Sequence, residues 1–265
     1  MKDQLDMTRQ ERYERAALKR KKLLDFLATE QWTTYDVISA LIGSQRQNSQ
    51  KLVKKLEKDG LITIDSSRRD LYGHPRTVVG ITQEGIVSSG VALDDACTPY
   101  SSGRAPLSQI RHSSACQLAR IEAEAFGWKN FVPDRLLKAG SPPGLKANKA
   151  RIVGKIPDYI CNDCNGAKVA LEMETSIKTP SRYKEIIAAH IYSIERKHRY
   201  DRVLYLSDSD KRLHALKQVI GRIERVYLET GWCAIDPYLR YFVFKAPSEY
   251  KKYLDFARAV PLEDI

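Results

Sequence analysis

The stretch that decides the fold of this chain is residues 155–178, which read KIPDYICNDCNGAKVALEMETSIK. Two strand-like runs flank a short segment that holds Asp163, Asn165 and Gly166. These residue types favour tight turns, because they bond to the nearby backbone or tolerate positive φ. The stretch therefore predicts a β-hairpin with its turn centred near position 164.

Three carboxylates share one face of this predicted hairpin. A turn near position 164 sets Asp158 opposite Ala170 and diagonal to Glu172, and diagonal neighbours lie ~7–8 Å apart. Glu172 and Glu174 are two residues apart, so their side chains lie on the same side of a strand that we expect to be half-buried. Like charges repel unless a cation compensates, and oxygen ligands suit Mg²⁺ or Mn²⁺. The alternative is an exposed polar strand face with two scattered glutamates.

The residues after the hairpin add positive charge. A bound metal ion can activate water and stabilise the charge on a phosphodiester, and Lys178 is close enough in sequence to neutralise charge that develops there. Thr179 and Pro180 predict a helix start. On that helix Arg182 is free to meet a backbone phosphate, although a solvated helix face explains it equally well.

The first 92 residues predict three helices followed by two short strands. Apolar residues recur at helical spacing in each helical segment, and Gly43 ends the second one. Ser44 and Gln47 have the spacing of a capping box for the third helix. This order of elements is that of a winged helix, which we expect over residues 1–92.

In a winged helix the third helix enters the major groove, where the side chains at its start meet base edges. Arg, Gln and Asn bond to guanine and adenine edges, and Lys binds phosphates. The expected DNA contacts are Arg46, Gln47, Asn48, Gln50, Lys51 and Lys54 on the helix, and Arg68, Arg69 and Arg76 on the hairpin. The alternative is a winged helix that binds protein, on which these side chains only face solvent.

A segment poor in periodic apolar residues, 93–108, predicts a linker to a second domain over 109–265. In that domain strands alternate with helices, including a long helix from Ser181 and another over 211–229. The expected fold class is α+β, a winged helix followed by an α/β domain.

Composition narrows the class of partner. The chain has 265 residues, 43% of them hydrophobic, and a net charge of 44 − 33 = +11. These values argue against a disordered chain, collagen-like repeats and a disulfide-stapled miniprotein, and the positive surplus favours nucleic acid. No apolar run reaches the ~18–20 residues that span a bilayer. We therefore expect no membrane segment. The five cysteines are an odd, scattered set, which favours a reducing, cytoplasmic location.

Two further motifs carry less weight. Cys161 and Cys164 have CxxC spacing, but no second pair of ligands follows at the spacing of a zinc site, so a plain turn is favoured. A GxxxxGK phosphate loop does not occur in the sequence, which argues against a nucleotide-driven motor.

Pro157-Asp158 followed by Glu172-Met-Glu174 resembles the PD…(D/E)xK motif of restriction-type nucleases. More narrowly, ALEMETSIKTPSRYKEI after a winged-helix domain resembles the replication-relaxation proteins and the MobC-type relaxases of mobilisable plasmids, over about residues 15–245. The resemblance implies a PD-(D/E)xK nuclease-like second domain and an endonuclease that nicks one DNA strand at a plasmid transfer origin with Mg²⁺ or Mn²⁺. It assigns Asp158, Glu172 and Glu174 as metal ligands and, by fold analogy, Glu122 as a further one.

One position departs from the general motif, which has a lysine two residues after the acid. This chain has Glu174 there, so either Lys178 takes over the role of that lysine or the metal alone suffices. A weak or inactive nuclease is therefore also open.

Two functions follow from these expectations. The first is a relaxase for plasmid mobilisation and conjugation, which would act on double-stranded DNA at an origin with a coupling ATPase and accessory relaxosome proteins. The second is a non-catalytic winged-helix DNA-binding accessory protein or replication regulator with a decayed nuclease fold. A ligand-sensing transcription factor is less favoured, since the sequence suggests no apolar ligand pocket.

Overall fold

A computed structural model describes residues 7–69, 75–91, 97–103, 105, 107–139, 155–228 and 231–259. The chain is a mixed α+β protein, as expected, and divides into two compact units, Met1–Leu118 and Ala119–Ile265. Within the described ranges, no helix combines the length and the apolarity needed to cross a membrane.

The first unit is built from helices and one small antiparallel sheet. The sheet has three strands in the order β1-β3-β2. The elements in chain order are α1 (Arg9–Glu30), β1 (Trp32–Thr33), α2 (Tyr35–Ile42), α3 (Arg46–Lys58), β2 (Ile62–Arg69), β3 (Pro75–Ile81), α4 (Gln83–Ser89) and the start of α5 (Leu107–Ala125).

The start of α3 differs from the predicted capping box. Gly43 ends α2 at φ 57°, as expected, but the residue before α3 is Gln45, which makes no side-chain cap. The Ser44 hydroxyl instead lies 3.2 Å from that of Ser49, which is fully buried. The hydroxyl is used for packing between helices, so the predicted cap is wrong.

Part of the predicted linker packs onto the sheet of the first unit. Tyr100 is buried, and its N–H donates to the carbonyl of Ile81 at 2.8 Å. Its hydroxyl donates to Oδ2 of Asp65 on β2 at 2.7 Å. Tyr100 forms a small apolar cluster with Val78 and Ile110, so residues after the sheet complete its core.

Asp65 is a buried carboxylate surrounded by donors. Burial alone would raise its pKa, but hydrogen bonds from Ser67, Gly103 and Tyr100 outweigh that effect and hold the pKa well below its usual range. A depressed folded pKa stabilises the fold above the unfolded pKa of about 4, and this contribution is lost as the pH falls below that value.

We expect Asp65→Asn to destabilise the first unit by about 2 kcal/mol at neutral pH, because charge-assisted hydrogen bonds are lost. The difference between variant and wild type should shrink as the pH is lowered from 7 towards 3. Thermal unfolding across that pH range measures it. An unchanged difference at all pH values would contradict the assigned role of Asp65.

A second prediction concerns the close approach of Tyr100 to β3. A Cβ added at Gly80 would lie 2.3 Å from atoms of the Tyr100 ring. We expect Gly80→Ala to lower stability by about 1–3 kcal/mol in urea unfolding, as overpacking does. Gly221→Ala is the matched control, because an added Cβ there meets nothing within 4 Å. Equal effects of the two substitutions would refute the packing described here.

The second unit is built on a five-stranded mixed sheet in the order β10-β7-β6-β5-β4. Strands β6, β7 and β10 run parallel, whereas β4 and β5 pair antiparallel, and β8 and β9 form a separate hairpin. After α5 the elements are β4 (Lys129–Pro133), α6 (Asp134–Ala139), β5 (Tyr159–Asn162), β6 (Lys168–Glu174), α7 (Pro180–Glu195), β7 (Arg202–Ser207), α8 (Asp210–Gly221), β8 (Arg225–Leu228), β9 (Gly231–Ala234), a 3-10 helix (Asp236–Tyr241), β10 (Phe242–Lys245) and α9 (Pro247–Ala259).

One of the two expected helices is confirmed, and the other is partly wrong. Thr179 caps α7 by accepting from the N–H of Arg182, and Pro180 is its first residue. The helix expected over 211–229 ends at Gly221, and β8 follows. The strand prevails because its burial alternates with period two and it pairs with β9, so long-range pairing overrides helical spacing.

The β5–β6 hairpin forms, but its register differs from the expected one by two residues. Ile160 pairs with Ala170, so the same register sets Asp158 at the level of Glu172 and not of Ala170. The loop between β5 and β6 is longer than the tight turn predicted near position 164. It is held by Oδ1 of buried Asp163, which accepts from the N–H groups of Asn165 and Ala167, both at 2.9 Å. The Gly/Pro-rich residues 139–149, AGSPPGLKANK, predict a connection into the hairpin region, and all of them except Ala139 lie outside the described residues.

Strand β6 occupies the centre of the sheet, and residues 169–174 are all buried. The expectation of a half-buried strand is therefore wrong, because helices cover the face that was expected to meet solvent. Ala170 packs with residues of α7, such as Tyr183 and Ile187. Glu172 and Glu174 share the face of Ala170 by the alternation of strand side chains, so both point into the layer between the sheet and α7.

Candidate functional site

The candidate site begins with the two glutamates of β6. Glu172 pairs with Tyr205 and Glu174 with Ser207 on parallel β7, and the two glutamate side chains are only 7% and 6% exposed. A buried carboxylate is costly unless it is paired and hydrogen-bonded. The partners of these two side chains therefore define the site.

Glu172 lies between a lysine and a histidine. Its Oε2 is 2.5 Å from Nζ of Lys155, and its Oε1 is 3.3 Å from Nε2 of His190 on α7. The second contact has the distance of an ion pair without the geometry of a hydrogen bond. The other ring nitrogen of His190, Nδ1, is 2.7 Å from the hydroxyl of Tyr200, which orients the ring.

Glu174 has a separate set of partners. Nζ of Lys178 donates to both carboxylate oxygens, at 2.5 and 2.7 Å, and the Tyr183 hydroxyl donates to Oε2 at 3.0 Å. Burial, together with the charge of Glu174, raises the pKa of Tyr183 well above its usual range, so this hydroxyl stays a donor. Lys178 is thus beside the acid, as its predicted role requires, but it is engaged by that acid.

Asp158 immediately precedes β5 and is half-buried. Its Oδ2 accepts from the N–H of Met173 at 2.8 Å, and its carbonyl accepts from the N–H of Asp134. The bond from Met173 anchors Asp158 to β6 between the positions of the two glutamates, and the bond from Asp134 ties it to the start of α6.

Lys155 is one of two site residues that sequence reasoning missed. Burial opposes its charge, but Glu172, Asp158 and Glu174 outweigh burial and raise the pKa of Lys155 above its ordinary value. Its direct contact within the cluster is with Glu172, at 2.5 Å. The signal in the sequence was a lysine three residues before Asp158, whereas the motif carries its lysine after the second acid.

His190 was also missed, and its signal was a histidine inside an apolar helix face. It is fully buried next to the aromatic rings of Tyr200, Tyr205 and Phe242. Glu172 Oε1, His190 Nε2 and the Tyr205 hydroxyl are buried polar atoms that make no hydrogen bond within the described part of the chain. Burial, with the charges of Glu172 and Glu174 next in order, raises the pKa of Tyr205 well above its usual range.

The donor set suits a hard divalent cation in ligand type, since it consists of carboxylate oxygens. Glu172 Oε1 is the oxygen that makes no hydrogen bond, whereas Glu172 Oε2 and both oxygens of Glu174 contact ammonium groups. A cation bound by all three carboxylates would therefore share or displace the contacts of Lys155 and Lys178.

Glu122, assigned by fold analogy, lies on α5. Its Oε1 is 3.4 Å from Nζ of Lys251 on α9. Its contribution as a metal ligand stays a prediction.

The predicted DNA contacts of α3 lie on its outer side. Ser49, Val53 and Leu56 are buried, so the remaining face is free. Four of the predicted contacts are exposed and unpaired within the described residues, and Gln50 is half-buried; the four are Gln47, Asn48, Lys51 and Lys54. Arg46 is also exposed but forms an ion pair of 2.5 Å with Asp36.

For three of the remaining predicted contacts the structure describes only the backbone, and for the fourth it also describes the side chain. Arg68 and Arg76 pair through their backbones near the end of the β2–β3 hairpin, and Arg69 pairs with Pro75. The side chains of the three arginines lie outside the described residues. Arg182, in the first turn of α7, is exposed and forms an ion pair of 2.5 Å with Glu185.

No protein-family model matches this chain, and no curated protein or solved structure matches it significantly.

The contacts of Lys155 generate a prediction for stability. Lys155→Met leaves Glu172 buried without its cation, and we expect a loss of about 3–5 kcal/mol in urea unfolding. Lys155→Met combined with Glu172→Gln should recover much of that loss, because the unpaired charge is gone. Lys251→Met is the control, since that lysine is 75% exposed, and it should change little. A Lys155→Met protein as stable as wild type would refute the pairing.

Proposed function

We propose that this protein is a plasmid mobilisation relaxase, a metal-dependent endonuclease that nicks one DNA strand at a transfer origin. The observation that carries the proposal is geometric: Asp158 accepts from the N–H of Met173 between Glu172 and Glu174, and Lys155 lies 2.5 Å from Glu172. Carboxylates concentrated in this way at the centre of a sheet suit the binding of a cation that acts on phosphodiesters.

The first unit supports DNA recognition by a winged helix. Helices α1, α2 and α3 precede the β2–β3 hairpin, and α3 exposes Gln47, Asn48, Lys51 and Lys54. With α3 in the major groove, the amide side chains would read adenine edges, and the lysines would contact phosphates. The net charge of +11 favours the same partner.

The second unit supports a PD-(D/E)xK-type nuclease. Its mixed sheet carries the carboxylates on and next to a central hairpin, and α7 follows directly. Asp158, Glu172 and Glu174 would hold Mg²⁺ or Mn²⁺, which would supply an activated water and charge stabilisation when bound. His190 and Tyr200 position Glu172 from the α7 side, and Tyr183 positions Glu174.

Two lysines are available for the role of the motif lysine. Lys178 reaches the phosphate only if it leaves Glu174, which it contacts through both oxygens. Lys155 contacts one oxygen of Glu172 and the carbonyl of Ile156, and it reaches the phosphate if it leaves these two acceptors. On this proposal the protein acts in the cytoplasm with a coupling ATPase and accessory relaxosome proteins.

The second candidate is a non-catalytic DNA-binding regulator with a decayed nuclease fold. The observation in its favour is that Lys155 and Lys178 already neutralise the two buried glutamates. A site balanced by its own lysines does not require a metal ion to be stable.

Nicking of supercoiled plasmid that carries the native origin tests the proposal. Wild type should give open-circular product with Mg²⁺ or Mn²⁺ and none with EDTA, and Asp158→Asn and Glu172→Gln should reduce the rate by at least about 100-fold. Asp255→Asn, a change of an exposed carboxylate on α9, is the matched control and should nick normally. Origin binding without nicking by any of the proteins would favour the regulator.

The recognition helix has its own test. Gln47→Ala and Asn48→Ala should each weaken binding to the origin duplex by about 5- to 150-fold and leave binding to unrelated duplex nearly unchanged, because they remove base contacts. Lys51→Ala should weaken both equally and reduce the salt dependence. Equal losses on both duplexes for all three variants would contradict base readout by α3.

A further inference from the structure

A surface cleft of about 370 Å³ opens beside the β8–β9 hairpin, and Asp158, Glu172 and Glu174 are not among its lining residues. It is lined by Lys184, Arg222, Glu224, Arg225 and Trp232. Three cations against one carboxylate give the cleft a positive charge. Within the described part of the chain, none of the three cations forms an ion pair, so their charge is available to a ligand.

Trp232, which lines this cleft, packs against the ring of Tyr227. Tyr227 and Trp232 are cross-strand partners on the hairpin, 62% and 57% exposed, with ring centroids 5.6 Å apart and planes at 73°. In an edge-to-face pair, the ring that presents its edge keeps both faces uncovered by its partner. By contrast, Trp128 of the same unit is 2% exposed.

The hairpin that carries these rings is anchored from beneath. Val226 is fully buried in the core formed by α7, α8 and the sheet. Arg225 donates through Nη2 to the carbonyl of Trp232 at 3.1 Å, and Ile235 donates to the carbonyl of Glu224 at 3.0 Å. Because the exposed rings sit on a fixed backbone, little ordering is needed when a ligand stacks on them.

We propose that the Tyr227–Trp232 pair and the cations of Lys184, Arg222 and Arg225 form a binding platform for single-stranded DNA. Bases stack on exposed aromatic faces, and a positive groove follows the phosphates. A duplex does not fit this chemistry, since its base faces are covered by their neighbours. The proposal does not depend on nuclease activity or on the role of α3.

The test uses the full chain and a fluorescein-labelled oligothymidylate, with fluorescence anisotropy as the readout. Trp232→Ala should weaken binding by about 5- to 150-fold, the loss typical of one stacked base, and Trp232→Phe should retain most of the affinity. Arg222→Glu and Lys184→Glu should weaken binding and lower its salt dependence. Quenching of tryptophan fluorescence by the oligonucleotide should disappear in Trp232→Ala.

Matched controls come from the same unit. Phe256→Ala removes another exposed aromatic side chain, 51% exposed on α9, and Lys217→Glu reverses an exposed charge on α8. Both should bind the oligonucleotide like wild type. Circular dichroism and melting temperature should be unchanged in all variants, because each altered side chain is exposed.

Several outcomes would overturn the proposal. These are wild-type affinity in Trp232→Ala, a loss in Phe256→Ala as large as in Trp232→Ala, displacement of the oligonucleotide by equal amounts of duplex, or tighter binding of oligouridylate than of oligothymidylate. A protein that binds the oligonucleotide through this cleft but nicks no plasmid would leave the platform in place and count only against the nuclease.

Discussion

The second unit depends on how two buried carboxylates are neutralised at the centre of its sheet. Glu172 and Glu174 lie on the central strand, in its buried stretch 169–174, where an unpaired charge costs several kcal/mol. Their partners come from three places: the chain before the hairpin, the loop after β6, and α7. The charge of the glutamates thereby determines how these segments meet. The same contacts form the carboxylate cluster that the sequence predicts.

Local signals in the sequence were sufficient for much of the fold. Gly43 ends a helix and Thr179 with Pro180 begins one, because each acts through its own backbone or its immediate neighbours. The register of the β5–β6 hairpin could not be predicted, since it depends on the buried side chain of Asp163. That side chain holds the turn and also forms an ion pair with Arg202, 39 residues away.

The candidate site was predictable to a similar extent. The period of two along a strand placed Glu172 and Glu174 on one face, and both do point the same way. Lys155 and His190 were beyond reach, because their roles arise from tertiary contacts with Glu172 rather than from spacing. A histidine among isoleucines marks a buried polar contact, but the sequence does not name its partner.

The contact of Tyr100 with β3 has a consequence for how the chain is made. Strands β2 and β3 leave the ribosome before Tyr100, Ala105 and Ile110, which complete the apolar cluster around Val78. Until those residues emerge, Asp65 lacks two of its donors, Tyr100 and Gly103. The core of the nascent sheet is therefore incomplete during this stage of synthesis. In a fragment that ends after α4, the core of the sheet would stay incomplete.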